Sequence, residues 1–328
     1  MKVLVIGGSG FIGSHVVDRL LANGHSARVF DRLAERFRAP LPDVDYCFGD
    51  FADRMALVEA LSGIDAVFHL LSTTVPGTAD LDPKTDVSDN LIGAINLLDS
   101  MQRLGLSRIL FLSSGGTVYG IPDTIPIPET HALRPINSYG IVKATIEHYL
   151  EMYRRTRGLS PIIIRASNPF GPRQAHSGVQ GVISTFLRLI LAGQPVEIWG
   201  DGTVVRDYLE VGDLAELCVR AGTSERQGAY NGGSGRGLSI NEIIDAIRRV
   251  TASDFEIRYK PARRLDIPRS VLDCARAKND FGWECKTAFE PGLRGTWDWL
   301  KAQDDDWSIP HKLFAVNVDA LMTRIVSI

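Results

Sequence analysis

The sequence has few cysteines and no long apolar run, and each shortage excludes a class of protein. Four cysteines occur among 328 residues, at Cys47, Cys218, Cys274 and Cys285, with no C-x-x-C spacing. This pattern argues against a zinc site or a disulfide framework and indicates reduced thiols, which predicts a cytoplasmic protein. No apolar run is as long as a membrane span, so we expect no membrane association.

Positive charge is not in surplus, and no secretion signal is expected. The formal net charge is -3 at pH 7, which offers no general basic surface for nucleic-acid phosphates. Residues 1–6 run straight into glycines, without the longer apolar region and the cleavage site of a signal peptide. Hydrophobic residues make up 45% and charged residues 23%, as in ordinary soluble globular proteins. These values predict a sizeable core and no nucleic-acid partner.

Short β-branched runs alternate with longer segments of helical period in the first half of the chain. This alternation predicts parallel βαβ units, and hence an α/β fold with a doubly wound parallel sheet. The predicted strands are residues 3–6, 27–30, 66–70, 108–112 and 161–165, and the predicted helices are 11–23, 54–61, 89–104 and 138–157. The four glycines that follow these helices, Gly24, Gly63, Gly105 and Gly158, are expected to be C-caps.

A glycine-rich motif lies between the first predicted strand and the first predicted helix. Residues 7–13, GGSGFIG, have the spacing G-x-x-G-x-x-G. Glycines at these positions permit a tight turn and let backbone amides approach a pyrophosphate at a helix N-terminus. A plain sharp turn between strand and helix is the alternative interpretation of the motif.

Asp31, at the end of the second predicted strand, supports a dinucleotide site. A carboxylate there accepts hydrogen bonds from ribose hydroxyls and repels a 2′-phosphate, which favours NAD over NADP. Arg32 beside it is interpreted as a solvated side chain, although a guanidinium there can also recruit a phosphate. After a third apolar segment, Asp50 and Phe51 are predicted to lie near the adenine, with a simple turn as the alternative.

Tyr139 and Lys143 form a pair whose spacing predicts a catalytic role. An i,i+4 pair shares one face of a helix and brings an ammonium to a phenol. A nearby cation, together with the positive charge of an oxidised nicotinamide, is expected to lower the phenol pKa from about 10 and make tyrosine a usable proton acceptor. A surface Tyr and Lys is the alternative. The polar turn at residues 113–120, SSGGTVYG, favours catalysis because it follows a strand at the ligand-binding edge of such sheets.

Six motifs in this order resemble the extended short-chain dehydrogenase/reductase family, specifically UDP-glucose 4-epimerase-like nucleotide-sugar epimerases. They are residues 7–13 (GGSGFIG), 68–70 (FHL), 113–120 (SSGGTVYG), 139–143 (YGIVK), 168–174 (NPFGPRQ) and 205–208 (VRDY). The resemblance covers roughly residues 1 to 300. It implies a Rossmann fold with a smaller C-terminal substrate-binding lobe, bound NAD, and C4 epimerisation of a UDP-sugar through a 4-keto intermediate.

The resemblance also implies roles for individual residues. Tyr139 would be the base for the sugar 4-hydroxyl, and Lys143 a ribose ligand that modulates the tyrosine pKa. The implied cofactor ligands are Gly7, Gly10, Phe11, Ile12, Gly13, Asp31, Arg32, Asp50, Phe51, Leu70, Asn90, Ser113, Tyr139, Lys143 and Pro169. The implied substrate ligands are Asn168, Arg206 and Arg263 at the diphosphate, Asp266 at the uridine ribose, Ser270 at the sugar and Trp199 at the base. Alternatives are a structural amide for Asn90, surface charges for the arginines and a core position for Trp199.

Gly115 departs from the family pattern. The family usually places a catalytic serine or threonine there, and glycine carries no hydroxyl. Thr117 is the first candidate to supply the hydroxyl, because it projects to the same side if the backbone stays extended, and Ser114 is the second. Because position 115 lacks this hydroxyl, a reductase or a slow enzyme remains an alternative.

Ser270 is a second departure, and it concerns the size of the sugar. Narrow-specificity epimerases carry a tyrosine four residues beyond the residue that corresponds to Asp266, where this chain has Ser270. A smaller residue enlarges the pocket. We therefore expect an N-acetylated sugar, UDP-GlcNAc or UDP-GalNAc, to be accepted alongside UDP-glucose and UDP-galactose.

Other functions on the same fold remain alternatives. A nucleotide-sugar 4-reductase or 4,6-dehydratase would use the same Tyr139 and Lys143, but dehydratases of the family carry Asp-Glu where this chain has Gly116 and Thr117, which disfavours dehydration. A noncatalytic NAD-binding protein is the third alternative, and the intact Tyr139 and Lys143 argue against it.

The order of motifs predicts the domain organisation. Residues 1–168 are expected to form the NAD-binding Rossmann domain, with later segments returning to it. Residues 169–303, which break into Gly- and Pro-rich loops and shorter elements, are expected to form mainly the substrate-binding lobe, and residues 304–328 a tail of unassigned role. The resemblance further implies a homodimer formed through the helices that begin near residues 89 and 138.

Overall fold

The computed structural model describes residues 1–174, 181–262 and 267–303. Arg263, Asp266 and the tail at 304–328 therefore lie outside the described residues. The strands are β1 (Lys2–Ile6), β2 (Ser26–Asp31), β3 (Val44–Phe48), β4 (Ala66–His69), β5 (Arg108–Ser114), β6 (Ser160–Ala166), β7 (Asn168–Phe170), β8 (Val196–Trp199), β9 (Val205–Glu210), β10 (Gly228–Gly232), β11 (Gly237–Ser239), β12 (Ile257–Lys260) and β13 (Arg269–Ser270).

The helices lie between these strands. They are α1 (Phe11–Ala22), α2 (Arg54–Leu61), α3 (Pro83–Asp86), α4 (Gly93–Arg103), α5 (Ser138–Arg157), α6 (Val182–Leu191), α7 (Val211–Gly222), α8 (Ile240–Thr251), α9 (Ala275–Phe281) and α10 (Phe289–Lys301). A π-helical segment, Val87–Ile92, joins α3 to α4. Within the described residues, no helix is both long and apolar enough to cross a membrane.

The central sheet has seven strands in the order β10, β6, β5, β4, β1, β2, β3, all parallel. Helices cover both of its faces, which confirms the predicted doubly wound α/β fold. In β1, Val3 and Val5 face one hydrophobic cluster while Leu4 and Ile6 face the other, because successive strand residues point to opposite sides. All four are buried, as expected of a strand covered on both faces.

The five predicted strands and four predicted helices are all present, each strand end within two residues of its predicted position. The third predicted helix differs most. It begins at Pro83, where Asp82 caps the helix by accepting from Thr85 N, and it contains the π-helical segment before α4. The predicted C-cap glycines all have positive φ, as at Gly158, where φ is 69°. Two of the seven strands, β3 and β10, were not among the predicted strands, although β3 coincides with the third apolar segment before Asp50.

A third hydrophobic cluster lies in the C-terminal half. Its buried residues come mainly from α6, β8, α8 and α10. Beside it, β9 pairs with β7, β11 and β13 in a small sheet, and β8 pairs with β12. Between these elements the chain returns to the central sheet, since α7 packs against α1 and β10 pairs with β6. The loops after β1, β4, β5 and β6 all leave the carboxyl edge of the central sheet, where ligands of such folds bind.

Candidate active site

In the turn after β1, the backbone at the start of α1 lies close to the backbone of Gly7. Gly7 has φ 82°, and a Cβ at Gly13 would lie 2.0 Å from the Gly7 carbonyl oxygen. The cap of α1, Gly10, offers no side-chain hydrogen bond to the first-turn amides, which include those of Phe11 and Ile12. The Ser9 hydroxyl is buried and has no hydrogen-bond partner among the described residues. A turn with free amides and an unsatisfied hydroxyl fits a bound pyrophosphate.

Asp31 is tied to this turn. Its carboxylate accepts the backbone N–H of Ser9 at 3.1 Å and that of Arg32 at 2.8 Å. Burial raises the pKa of Asp31, and these backbone donors oppose the rise. The Arg32 side chain is 64% exposed and lies 3.8 Å from the Asp50 carboxylate, which agrees with a solvated guanidinium. The position of Asp31 fits a ribose ligand.

The other predicted cofactor residues lie around the same edge. Phe51 is buried, and its ring lies 5.1 Å from that of His69, so it is part of the core beneath the turn. Leu70 donates its N–H to Ile6 O at 3.0 Å, which places it directly beside the glycine turn. Pro169 lies in β7, in register with Leu209 of β9.

Tyr139 and Lys143 lie on one face of α5. The helix begins at Ser138, where the Asn137 side chain accepts the N–H of Gly140 at 2.8 Å. Lys143 is only 4% exposed, and its Nζ donates to Leu112 O at 3.0 Å and lies 5.6 Å from the centre of the Tyr139 ring. The pair is thus held at the carboxyl end of β5.

Burial shifts the pKa values of this pair in opposite directions. Burial raises the pKa of Tyr139 to about 12, the Ser72 hydroxyl lowers it through a hydrogen bond, and the charge of Asp86 raises it further. Burial lowers the pKa of Lys143 to about 8, against the charges of Asp86 and Glu147. In the polypeptide alone, burial outweighs the lowering by Ser72, and the Lys143 ammonium donates to Leu112 O. The expected lowering of the phenol pKa, which includes the charge of an oxidised nicotinamide, stays a prediction.

The segment after β5 is a turn, so the extended backbone assumed for Thr117 is wrong. The N–H groups of Thr117 and Val118 both donate to Ser114 O, at 3.2 and 3.0 Å. The Thr117 hydroxyl is nevertheless buried, with no hydrogen-bond partner among the described residues. Gly115 is required by packing, since a Cβ there would lie 2.6 Å from Leu272 Cδ1.

Two predicted cofactor residues have their side chains engaged within the protein. The Ser113 hydroxyl donates to Glu147 Oε1 at 2.5 Å, and Glu147 pairs with Arg165 in the core at 2.7 Å. The Asn90 amide bonds the Thr73 backbone and Asp86, at 2.9 and 3.0 Å. The structural alternative for Asn90 therefore agrees with its contacts.

The predicted substrate residues of the described chain converge on the small sheet. Asn168 donates to Asp207 O at 2.9 Å, and its side-chain oxygen lies near Gly116 of the turn after β5. Ser270 is buried in β13, in register with Arg206 of β9, whose guanidinium donates to Ile267 O at 2.5 Å. Asn168, Arg206 and Ser270 are thus brought together by β7, β9 and β13.

Trp199 lies apart from these three. It ends β8 and is 41% exposed, with Lys260 Nζ 5.6 Å from its ring centre. A core position for Trp199 is therefore wrong.

Two residues near Tyr139 were missed by the sequence reasoning. Ser72 lowers the pKa of Tyr139, and Asp86, 1% exposed, accepts from the hydroxyls of Thr74 and Ser138 at 2.7 Å each. The available signals were a polar run directly after a buried strand for Ser72, and an i,i+4 spacing to Asn90 for Asp86.

Comparison with known proteins places this geometry in a family. UDP-glucose 4-epimerase of Mycolicibacterium smegmatis is 33% identical over 314 residues, with 92% of this chain and 99% of that protein covered. Among solved structures, UDP-glucose 4-epimerase with UDP-glucose from Thermotoga maritima has a TM-score of 0.88 and 35% identity, covering 92% of this chain and 99% of that one. UDP-N-acetylglucosamine 4-epimerase from Methanobrevibacter ruminantium, in complex with UDP-N-acetylmuramic acid, has a TM-score of 0.86 and 29% identity, covering 92% and 98%.

The family model matches residues 3–233, from β1 to just beyond β10. That span contains the glycine turn, Asp31, and the Tyr139–Lys143 pair. Together with these comparisons, the match shows that the chain belongs to the NAD dependent epimerase/dehydratase family.

Proposed function

We propose that this chain is an NAD-dependent enzyme that epimerises a UDP-sugar at C4. The observation that carries the proposal is the pair of half-buried Tyr139 and buried Lys143, 5.6 Å apart between ring centre and Nζ, at the sheet edge that also holds the glycine turn. A proton acceptor next to a dinucleotide site is what oxidation of a sugar hydroxyl requires.

Bound NAD would supply the hydride acceptor and donor for C4. The protein's residues bind the dinucleotide and move the proton of the 4-hydroxyl. The glycine turn and Asp31 hold the dinucleotide. Tyr139 takes the proton of the 4-hydroxyl as the 4-keto sugar forms, and returns it when the opposite face is reduced. Lys143 adds positive charge on the same helix face, and its bond to Leu112 O fixes that charge in place.

Asn168, Arg206 and Ser270 are proposed to bind the substrate. The amide and the guanidinium suit a diphosphate, the guanidinium by its forked donors. The small, buried side chain of Ser270 supports acceptance of an N-acetylated sugar beside UDP-glucose. Arg263 and Asp266 keep their predicted roles at the diphosphate and the uridine ribose, outside the described residues.

Thr117, with Ser114 second, is proposed to donate a hydroxyl hydrogen bond to the sugar 4-oxygen. The buried and unpartnered Thr117 hydroxyl supports this role, because a buried hydroxyl without a partner costs free energy that a bound ligand can recover.

A homodimer in the cytoplasm completes the proposal. The exposed apolar residues Val87 and Ile92 of the π-helical segment and Ile141 and Met152 of α5 support an interface through these packed helices. Light scattering of Ile141→Asp against wild type tests it. We expect a dimer that dissociates in the variant, and a monomeric wild type would contradict the interface.

The four free cysteines support a reducing compartment, which is the reason for proposing the cytoplasm.

The function is tested by incubating the purified protein, without added cofactor, with UDP-glucose and UDP-GlcNAc separately and separating C4 epimers by chromatography. Formation of UDP-galactose or UDP-GalNAc by wild type, and not by Tyr139→Phe, is the expected result. No epimer from either sugar, together with stoichiometric consumption of added NADH or NADPH when a 4-keto nucleotide sugar is supplied, would instead assign a reductase. No reaction after NAD is added would overturn the proposal for these two sugars.

A further inference from the structure

A buried carboxylate joins the helix of the catalytic pair to two strands of the central sheet. Glu147 of α5 is 4% exposed, and it accepts from Arg165 of β6, with Nη2 at 2.7 Å and Nε at 3.1 Å. Its other oxygen accepts from the hydroxyl of Ser113, near the end of β5, at 2.5 Å. Arg165 is buried as well. The carboxylate therefore ties α5 to both β5 and β6 in the protein interior.

This attachment lies next to the bond that holds Lys143. Glu147 follows Lys143 by four residues, and residues four apart share a face of a helix. Ser113 directly follows Leu112, whose carbonyl oxygen accepts from Lys143 Nζ at 3.0 Å. The same face of α5 is thus joined to the same end of β5 at two consecutive points. The bond through Glu147 fixes the helix face against the strand, which the flexible stem of a lysine does not do alone.

Arg165 also reaches the turn after β5. Its Nη1 donates to the Tyr119 hydroxyl and to Glu129 O, at 3.0 Å each. Tyr119 is 1% exposed and lies two residues after Thr117, whose hydroxyl is proposed to bind the sugar. One guanidinium therefore holds α5 through Glu147 and the turn of Thr117 through Tyr119.

The polar groups of this cluster have hydrogen-bond partners. The Nε and both Nη atoms of Arg165 donate, and both carboxylate oxygens of Glu147 accept. Tyr119 accepts from Arg165 and donates to Asn231 Oδ1 at 2.7 Å. A buried polar network whose members are all bonded makes its surroundings rigid. The unpartnered Thr117 hydroxyl is thus available to a ligand while the turn that carries it is fixed.

The cluster contributes to geometry more than to stability. Moving two charges into the interior costs free energy that their attraction does little more than offset, so a buried ion pair is weak evidence for stability. Two apolar side chains of similar volume would fill the same space. They would neither accept from the Ser113 hydroxyl nor donate to the Tyr119 oxygen, so α5 and the turn would lose their fixed partners.

We propose that Glu147 and Arg165 are positioning residues. They hold the Lys143 ammonium and the Thr117 hydroxyl at fixed distances from Tyr139. The proposal rests on the proposed function, and both residues act through the elements that they join. A loss of position should lower kcat with little change in KM, because the parts of the substrate that bind elsewhere keep their contacts.

The test replaces the ion pair in the double variant Glu147→Met, Arg165→Met. Each single variant should unfold at lower denaturant concentration than wild type, because one buried charge loses its partner, and the double variant should recover most of this loss. In the double variant we expect kcat about tenfold or more below wild type, with KM for the UDP-sugar changed less than about twofold. The double variant Arg249→Met, Glu290→Met is the matched control. This pair, 2.7 Å apart and 60% and 48% exposed, joins α8 to α10, and its loss should leave kcat near wild type.

A Glu147→Met, Arg165→Met variant that recovers both stability and kcat would overturn the proposal, since the pair would then only fill space. A loss confined to KM would overturn it as well. If the double variant does not fold, Arg165→Lys replaces it, because lysine keeps the charge beside Glu147 but lacks the fork of donors that also reaches Tyr119. Its kcat should fall about tenfold, and an unchanged kcat would contradict the proposal.

A crystal structure of the same variant gives a result that does not depend on activity. Lys143 Nζ should lie about 1 Å or more from its wild-type position relative to Leu112 O, a displacement large enough to cost turnover. If wild type epimerises neither sugar, the proposed function fails, and this displacement by itself decides whether the pair positions Lys143. An unchanged position would overturn the inference.

Discussion

The hydroxyl of Ser138 donates to the buried carboxylate of Asp86 at 2.7 Å, one residue before Tyr139. The two residues are 52 positions apart in the chain, so this bond joins the start of α5 to the helix that follows the β4 loop. The same carboxylate holds Thr74. The position of the proposed base therefore depends on the loop that also carries Ser72.

Asp86→Asn tests the carboxylate by removing its charge with little change of shape. The charge of Asp86 raises the pKa of Tyr139, so its loss should lower that pKa and move the acid limb of kcat/KM to lower pH. The asparagine amide also replaces one carboxylate oxygen, so the hydroxyl of either Thr74 or Ser138 loses its acceptor. This loss should lower the free energy of unfolding by about 1 to 3 kcal/mol. Denaturant unfolding and the pH profile measure both effects. Asp89→Asn, at a half-buried position of the adjoining π-helical segment, is the control, and an acid limb that moves to higher pH would contradict the expectation.

Lys143→Met should change how stability depends on pH. The pKa of Lys143 is lowered to about 8 from its ordinary value of 10.5, so between these values the unfolded chain binds more protons than the folded one. The free energy of unfolding should therefore rise with pH across this window, by about 3 kcal/mol in all. Below the window, the folded state is destabilised because it buries the charged form of Lys143. Denaturant titrations between pH 8 and 10 should show this rise in wild type and a smaller one in Lys143→Met. Equal slopes would be evidence against a buried, titrating Lys143.

Gly115→Ser would restore the hydroxyl that the family usually carries, yet we expect it to harm the protein. Its Cβ would meet Leu272 Cδ1 and Arg165 O at 2.6 and 2.9 Å, and such overpacking costs about 1 to 3 kcal/mol. Thermal unfolding and turnover should both fall. Gly116→Ser, where a Cβ has no atom closer than 4.0 Å, is the control. A stable Gly115→Ser with higher turnover would show that the site accommodates the side chain.

Thr117→Val tests the hydroxyl proposed for the sugar. Valine has the same shape, and no hydrogen bond within the described residues is lost, so unfolding free energy should stay the same or rise slightly. Turnover should fall about tenfold if the hydroxyl bonds the sugar in the transition state. Unchanged turnover in both Thr117→Val and Ser114→Ala would remove this role from both residues.

Ser270→Tyr tests the size of the sugar site. Ser270 is 4% exposed, so a tyrosine there must occupy space next to the strand that carries Arg206. The ratio of kcat/KM for UDP-GlcNAc to that for UDP-glucose should fall about tenfold or more, as expected when bulk enters a shaped pocket. Activity on UDP-glucose in the same variant is the internal control. An unchanged ratio would show that Ser270 does not limit the size of the sugar.

Local patterns in the sequence were sufficient for much of the fold. The strands and helices of the first half follow from hydrophobic period and glycine position, since both depend on neighbours within a few residues. The glycine motif, Asp31 and the i,i+4 spacing of Tyr139 and Lys143 are equally local. β10 was missed because it pairs with β6, more than 60 residues earlier in the chain, and has no strong apolar run of its own.

The sequence by itself thus determined the doubly wound fold, the dinucleotide turn and the identity of the Tyr139–Lys143 pair. Only the tertiary structure decided that Gly115 faces Leu272, and that Asp86 joins the loop after β4 to the start of α5. It also decided the direction of the pKa shifts, since burial raises the pKa of Tyr139 and lowers that of Lys143. The physical reason is that spacing along a chain sets which side chains share an element, whereas contacts between elements and exclusion of water arise only when the elements pack.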